Sequence, residues 1–334
     1  MRLLNSTLGN VTIMTPKEET QFRDASRGVP HDTILRMVTT ADERTSEMVQ
    51  FCERLAVLIP QVSISREDRR GPEQPFLLLP SGVRYQGIPK GNEVQPFVDA
   101  LAGTIPPLPD PFRERLKAAA CPAALDLYVT PHCTYCPQVV RRLMPLASAS
   151  SHIRLSIIDG AMYPDQAKQN SIKSVPTLIL DGQFRWTGSI DLEEVVALMV
   201  TRDPVSLGPA SLEMMLKEGA ARRLAQMMAE RGAIFPALVE LLCHDQWPVR
   251  LGAMVAMEEL QALRPELAGQ VIEPLWNRFG AVSDPIKGDI LHVFGEIGGP
   301  AVVPKIKAII ENTPPGEVKE AAEEALGKIE EKSA

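Results

Sequence analysis

Cys133 and Cys136, in the run P-H-C-T-Y-C-P, are the residues of this 334-residue chain whose type and spacing most directly imply chemistry. The apolar periodicity of Pro137 to Ala147 predicts a helix that begins beside them. A thiol at a helix start lies among unpaired backbone N–H groups at the positive end of the helix dipole. The thiolate is favoured there, so the first thiol becomes a nucleophile near neutral pH. The second, one turn on, can attack a mixed disulfide and release the product. Cys133 is therefore the expected attacking thiol and Cys136 the resolving one. His132, if protonated, would favour the thiolate further. Tyr135, between the cysteines, is a candidate modulator. The competing reading of C-T-Y-C is half a zinc site, but a second C-x-x-C or an H-x-x-x-H is missing.

The elements that must position this pair follow from the pattern around it. Leu125 to Val129 reads as a strand entering the dithiol, and Ile153 to Ile158 as a second strand. Pro164 to Asn170 is helical, and Asp181-Gly182 turns a hairpin between Thr177 to Leu180 and Gln183 to Trp186. Asp191 to Val200 closes the unit as a helix. Residues 31–105 show the same order: Thr33 to Thr40 as strand, Ser46 to Ile59 as helix, Phe76 to Leu79 and Val83 to Gln86 as strands, Glu93 to Leu101 as helix. Q-P-F-L-L-L-P-S-G-V-R-Y-Q-G (74–87) aligns with V-P-T-L-I-L-D-G-Q-F-R-W-T-G (175–188). V-T-T-A-D-E-R-T (38–45) aligns with V-T-P-H-C-T-Y-C (129–136). The chain thus contains an internal duplication in which Asp42 and Thr45 stand where the second copy has its cysteines. In thioredoxin-like folds a cis proline before a central strand lies against the dithiol. Pro176, after Val175 and 43 residues beyond Cys133, is placed for that role.

Residues 31–202 resemble the N-terminal domain of the flavoprotein subunit of alkyl hydroperoxide reductase. The resemblance is carried by G-I-P-K-G-N-E (87–93), I-D-G-A-M-Y (158–163) and S-V-P-T-L-I-L-D-G (174–182). It implies two fused thioredoxin folds, only the second with a dithiol, that pass two electrons as a disulfide. It implies a buried glutamate at Glu93 that exchanges a proton with the dithiol. A solvated residue at a helix start is the alternative for Glu93, and Asp126, seven residues before Cys133, is a weaker candidate for the same role. Archaeal-type protein disulfide oxidoreductases share the double fold but usually keep both dithiols. The expected partner is a protein disulfide or a peroxidase, with a separate flavin-dependent reductase as electron donor; peroxidase-linked function does not follow from the resemblance by itself, because helical segments stand where that family has its reductase module. No G-x-G-x-x-G stands in a strand–helix context, so no cofactor is expected on this chain.

Residues 207–334 change character. V-R-L-G-A-M-V-A-M-E-E-L (249–260), I-K-G-D-I-L-H-V-F-G-E-I (286–297) and V-K-E-A-A-E-E-A-L-G-K-I (318–329) share a template of one β-branched residue, one base and apolar positions at helical spacing. This resembles HEAT-type repeats, an α-solenoid that would hold a protein partner, though three degenerate copies also fit a plain helical bundle. The expected division is a polar arm (1–30), a unit without dithiol (31–105), a connector helix (106–123), a dithiol unit (124–206) and a helical repeat region (207–334). The fold class is α/β plus all-α. Residues 207–334 hold 13 basic and 19 acidic side chains, which argues against nucleic acid and anionic membranes as partners. No apolar run reaches the roughly 18 residues of a membrane span. No apolar leader opens the chain and the five cysteines form no disulfide framework, so a cytoplasmic location is expected. Cys52 and Cys243 read as core, as do the Met214, Met215, Met227 and Met228 group and the rings of Tyr85 and Trp186. Cys121 could be exposed, with a possible share in redox traffic. His31, His152, His244 and His292 are isolated. The alternative to an enzyme is a redox-gated scaffold, in which the dithiol state tunes the affinity of the helical repeats.

Overall fold

The structure, a computed structural model, describes residues 13–70, 73–119 and 122–333. The chain divides into two compact units between Val200 and Thr201, ahead of the boundary at 206 read from the sequence. Cys121 lies outside the described residues.

The first unit opens with α1 (Pro16–Ala25), where the sequence pattern suggested only a polar arm. Thr15 caps it and Glu18 completes a capping box. One buried ring anchors it: Phe22 meets Phe51 and Phe97 edge to face at centroid distances of 5.9 and 6.4 Å. A helix held by a single aromatic shows little amphipathic periodicity, which is why the pattern hid it. Then come β1 (Thr33–Thr39), α2 (Thr45–Leu58), β2 (Val62–Asp68), β3 (Phe76–Leu78), β4 (Arg84–Gln86), a 3-10 turn (Gly91–Glu93) and α3 (Val94–Leu101). The strand β2 is also absent from the sequence pattern. It forms one edge of the sheet, and its S-R-E-D end is largely exposed, as is common for edge strands.

After α4 (Asp110–Ala119) the order returns: β5 (Ala123–Val129), α5 (Cys136–Ala149), β6 (Ile153–Asp159), α6 (Pro164–Gln169), β7 (Thr177–Leu180), β8 (Phe184–Thr187) and α7 (Leu192–Thr201). All eight strands make one sheet in the order β2-β1-β3-β4-β6-β5-β7-β8. In each half the first two strands pair in parallel and the other two follow antiparallel. The seam is the parallel pair β4–β6, with Tyr85 opposite Ile157. The halves therefore join head to tail: the last strand of one pairs with the second strand of the other. Across the seam α3 packs on α5, where the Arg141 Nε–Asp99 Oδ2 ion pair closes at 2.7 Å.

The second unit is helical among the described residues: α8 (Pro209–Lys217), α9 (Ala221–Arg231), α10 (Pro236–Leu242), α11 (Trp247–Leu263), α12 (Pro265–Ala268), α13 (Ile272–Phe279), α14 (Asp284–Ile297), α15 (Val303–Asn312) and α16 (Glu317–Ser333). The three template segments fall on α11, α14 and α16, and α14 packs against both of the others. The template base of α11, Arg250, is buried. Its guanidinium reaches Asp289 on α14 at 2.6 Å and the carbonyls of His244 and Asp245 at 2.7 and 2.9 Å. The packing thus supplies this buried arginine with one carboxylate and two carbonyl partners. Cys52, Met215 and Met228 are core as expected, whereas Cys243, Met214 and Met227 are only half-buried. No helix among the described residues is long and apolar enough to cross a membrane.

Candidate functional site

The strand β5 carries the chain into the loop 130–135, and α5 begins at Cys136 with Pro137 in its first turn. Proline costs nothing there, since the N–H it lacks has no helical partner. Cys133 and Cys136 are joined as a disulfide, with Cα atoms 5.5 Å apart. The loop is braced by the Cys133 N–H donating to Thr130 O at 3.1 Å. The Cys136 N–H points at Cys133 Sγ, 3.0 Å away. That donor would stabilise a Cys133 thiolate once the bond is reduced. Exposure separates the two sulfurs: Cys133 is half-buried, whereas Cys136 is fully buried.

Val175–Pro176 is a cis peptide bond. Pro176 is buried at the start of β7, and the carbonyl oxygen of Val175 lies 3.8 Å from Cys133 Sγ. The Gly188 N–H donates to Pro176 O at 2.9 Å, and Thr177 Oγ1 donates to Ser174 O at 2.7 Å, so the segment is fixed on both sides. His132 precedes the dithiol and Tyr135 lies between its cysteines, both exposed, Tyr135 at 74%.

Glu93 is 2% exposed, so the solvated alternative does not hold. Tyr85 Oη donates to Glu93 Oε2 at 3.3 Å, while Glu93 Oε1 is buried without a hydrogen-bond partner. Burial pushes the Glu93 carboxyl up to about 7. The Tyr85 hydrogen bond opposes that rise, the Asp159 charge adds to it, and Arg141 opposes it again. A carboxyl at that value can hold or release a proton near neutrality. The turn that carries it touches the dithiol loop directly: the Asn92 N–H donates to Pro131 O at 2.9 Å and Asn92 Nδ2 donates to Cys133 O at 3.1 Å. Asn92 is a residue that sequence reasoning missed. The glycine just before it was the available signal, for Gly91 has φ +55°.

Asp126 does not join this group. Strand alternation puts it on the same face of β5 as Tyr128, whose ring packs with Ile158, Tyr163 and Ile179. It lines a polar groove of about 370 Å³ with Arg84, Arg154, Ser156 and Gln86. Burial raises its carboxyl, against the pull of Arg154, Ser156 and Arg84. Counting residues back from Cys133 could not tell one face of the strand from the other.

Residues 124–200 match the family model of the thioredoxin domain. Among curated proteins, the chain is 27% identical over 177 residues to an NADH dehydrogenase of Bacillus subtilis, covering 51% of this chain and 35% of that protein. It is 31% identical over 161 residues to an alkyl hydroperoxide reductase chain of Pseudomonas aeruginosa, covering 47% of this chain and 27% of that protein. The chain thus spans about a third of the length of these relatives. A solved structure of the N-terminal domain of the alkyl hydroperoxide reductase of Enterococcus faecalis aligns with 56% of this chain and 99% of its own, at 23% identity and a TM-score of 0.45. Residues 124–200 are a thioredoxin-like region, and its disulfide-forming pair and its oxidoreductase relatives support a thiol–disulfide redox role.

Proposed function

We propose that this chain is a thiol–disulfide oxidoreductase whose C-T-Y-C dithiol exchanges disulfides with a protein partner. The observation that carries the reading is the unequal placement of the two sulfurs: one half-buried at a helix N–H, the other fully buried one turn on. Cys133 thiolate attacks the partner's disulfide, a Cys133–partner S–S bond forms, and one partner sulfur leaves as a thiolate that takes up a proton. Cys136 gives its proton to the Glu93 carboxylate and attacks Cys133 Sγ. The internal disulfide closes and the second partner thiolate leaves. Two electrons pass from the dithiol to the partner. Pro176 and Val175 shape the edge that receives the partner strand, and His132 and Tyr135 modulate entry.

In this reading the two halves of the sheet are two fused thioredoxin-like folds, and the second unit is an α-solenoid of HEAT-like repeats that selects the partner. The relatives among alkyl hydroperoxide reductases make a peroxidase the favoured partner, and a separate flavin-dependent reductase the electron donor. The work belongs to a thiol-reducing compartment such as the cytoplasm. The test is reduction of insulin disulfides in the presence of dithiothreitol. Wild-type protein accelerates it and Cys133→Ser does not. Wild-type rates in Cys133→Ser would refute the assignment.

A second reading, a redox-gated scaffold, is favoured by one specific feature. Trp247, Leu251 and Val255 recur at helical spacing on α11 and are 54%, 39% and 38% exposed. If they bind a partner under control of the dithiol, pull-downs with reduced and oxidised protein differ in recovery. Equal recovery rules out gating.

A further inference from the structure

The turn before Glu93 is held from two sides. On one side stands Glu18 of α1, 8% exposed. Its Oε2 closes the capping box, accepting from Thr15 N at 2.7 Å and Thr15 Oγ1 at 2.9 Å. That leaves Oε1 to accept the Gly91 N–H at 2.7 Å. Burial works against this carboxylate, yet the N–H groups of Thr15 and Gly91, the Thr15 hydroxyl and the Lys90 charge hold it below its ordinary value. On the other side stands the dithiol loop. Gly91 approaches it so closely that a Cβ would lie 2.5 Å from Pro131 O. Asn92 then takes two carbonyls of that loop, Pro131 O through its backbone and Cys133 O through its side chain.

These contacts matter because the position of Cys133 Sγ depends on the peptide planes of a short loop. Its own brace is the hydrogen bond from Cys133 N to Thr130 O. With the carbonyls of Pro131 and Cys133 also gripped, neither plane can rotate without breaking a hydrogen bond. The Cys136 N–H stays aimed at the sulfur. We propose that Asn92, with Gly91 and Glu18 behind it, is a positioning residue for Cys133: the half that carries no dithiol clamps the loop of the half that does. The proposal rests on the reading of Cys133 as the attacking thiol.

The test follows Cys133 without any partner. Reduced full-length protein is alkylated with iodoacetamide across a pH series, and the modified peptide is quantified by mass spectrometry. The titratable groups on the segments that meet at Cys133 are His132 and Tyr135 on its own loop, Cys136 on α5, Lys90 and Glu93 on the turn, and Lys173 ahead of Val175. Asn92→Ala removes none of them, and Asn92 is exposed, so the variant should keep its fold and its thermal midpoint. The expected result is a rise of about one unit in the apparent Cys133 pKa, hence roughly tenfold slower alkylation at pH 6 with a nearly unchanged plateau at high pH. Glu18→Ala should move the titration the same way by less, because Asn92 keeps its direct bonds. Unchanged titration in both variants overturns the clamp while leaving the proposed function standing. Failure of wild-type protein to reduce insulin would overturn the function and leave the clamp to be judged on alkylation alone.

Discussion

Two helices begin at matching places in the two halves of the sheet, α2 at Thr45 and α5 at Cys136. In the second half the helix start holds a half-buried sulfur with a backbone N–H aimed at it and a fully buried sulfur one turn on. In the first half the same place is closed by polar side chains. Asp42 accepts the Arg44 N–H at 2.9 Å and pairs with its guanidinium at 2.8 Å, and Thr45 Oγ1 donates to Thr40 O at 3.0 Å. Arg44 in turn lies 4.7 Å over the ring of Tyr163. Closing a helix start with polar side chains removes the donors that a nucleophile would use. The first half instead supplies what the second lacks: the buried acid Glu93 and the grip of Asn92 on the dithiol loop.

Four substitutions probe that contrast, taken in falling order of effect. Cys133→Ser should bring insulin reduction to the level of dithiothreitol alone, whereas nothing in the first half can substitute for it. Residual turnover would mean a second redox centre. Phe22→Ala should cost roughly 3–5 kcal/mol in urea unfolding, because the ring lies between Phe51 and Phe97. A loss under about 1 kcal/mol would return α1 to the status of an arm.

Glu93→Gln should slow the resolving step by roughly a hundredfold, the lower end of what a positioned acid–base group contributes. It should also flatten the pH dependence of stability. Glu93 has its folded pKa raised from 4.5 to about 7. The folded state therefore binds the proton more tightly than the unfolded one. That stabilisation is complete below about 4.5 and is lost as pH rises through about 7. Urea midpoints of wild type should fall across this window, and those of Glu93→Gln should fall less. Parallel curves would mean that the carboxyl is solvated. Last, Asp42→Ala should cost about 1 kcal/mol of stability and leave insulin reduction untouched. A change in turnover would show that the first helix start is not a spectator.

Much of this contrast was legible in the residues. C-T-Y-C, the hairpin at Asp181-Gly182 and the alignment of 74–87 on 175–188 pointed to the disulfide pair, the β7–β8 hairpin and the repeated strand order, because glycine, proline and cysteine carry strict local requirements. Other features were hidden for physical reasons. A helix whose one buried ring is Phe22 and an edge strand ending in S-R-E-D lack the periodicity that marks buried elements. The burial of Glu93 depends on the seam between β4 and β6, which no local pattern encodes. Asp126 looked equivalent by spacing, yet it faces a different groove. Asn92 is an exposed polar residue whose role exists only because a loop from the other half lies against it.

In the proposed function one dithiol, acting through Cys133, serves the whole sheet. The most direct test is trapping: Cys136→Ser protein is incubated with a disulfide-bonded peptide, and the adduct is mapped by mass spectrometry. The expected product is a stable mixed disulfide on Cys133, absent when Cys133→Ser is added. An adduct on Cys52, Cys121 or Cys243, or none on Cys133, would contradict that assignment.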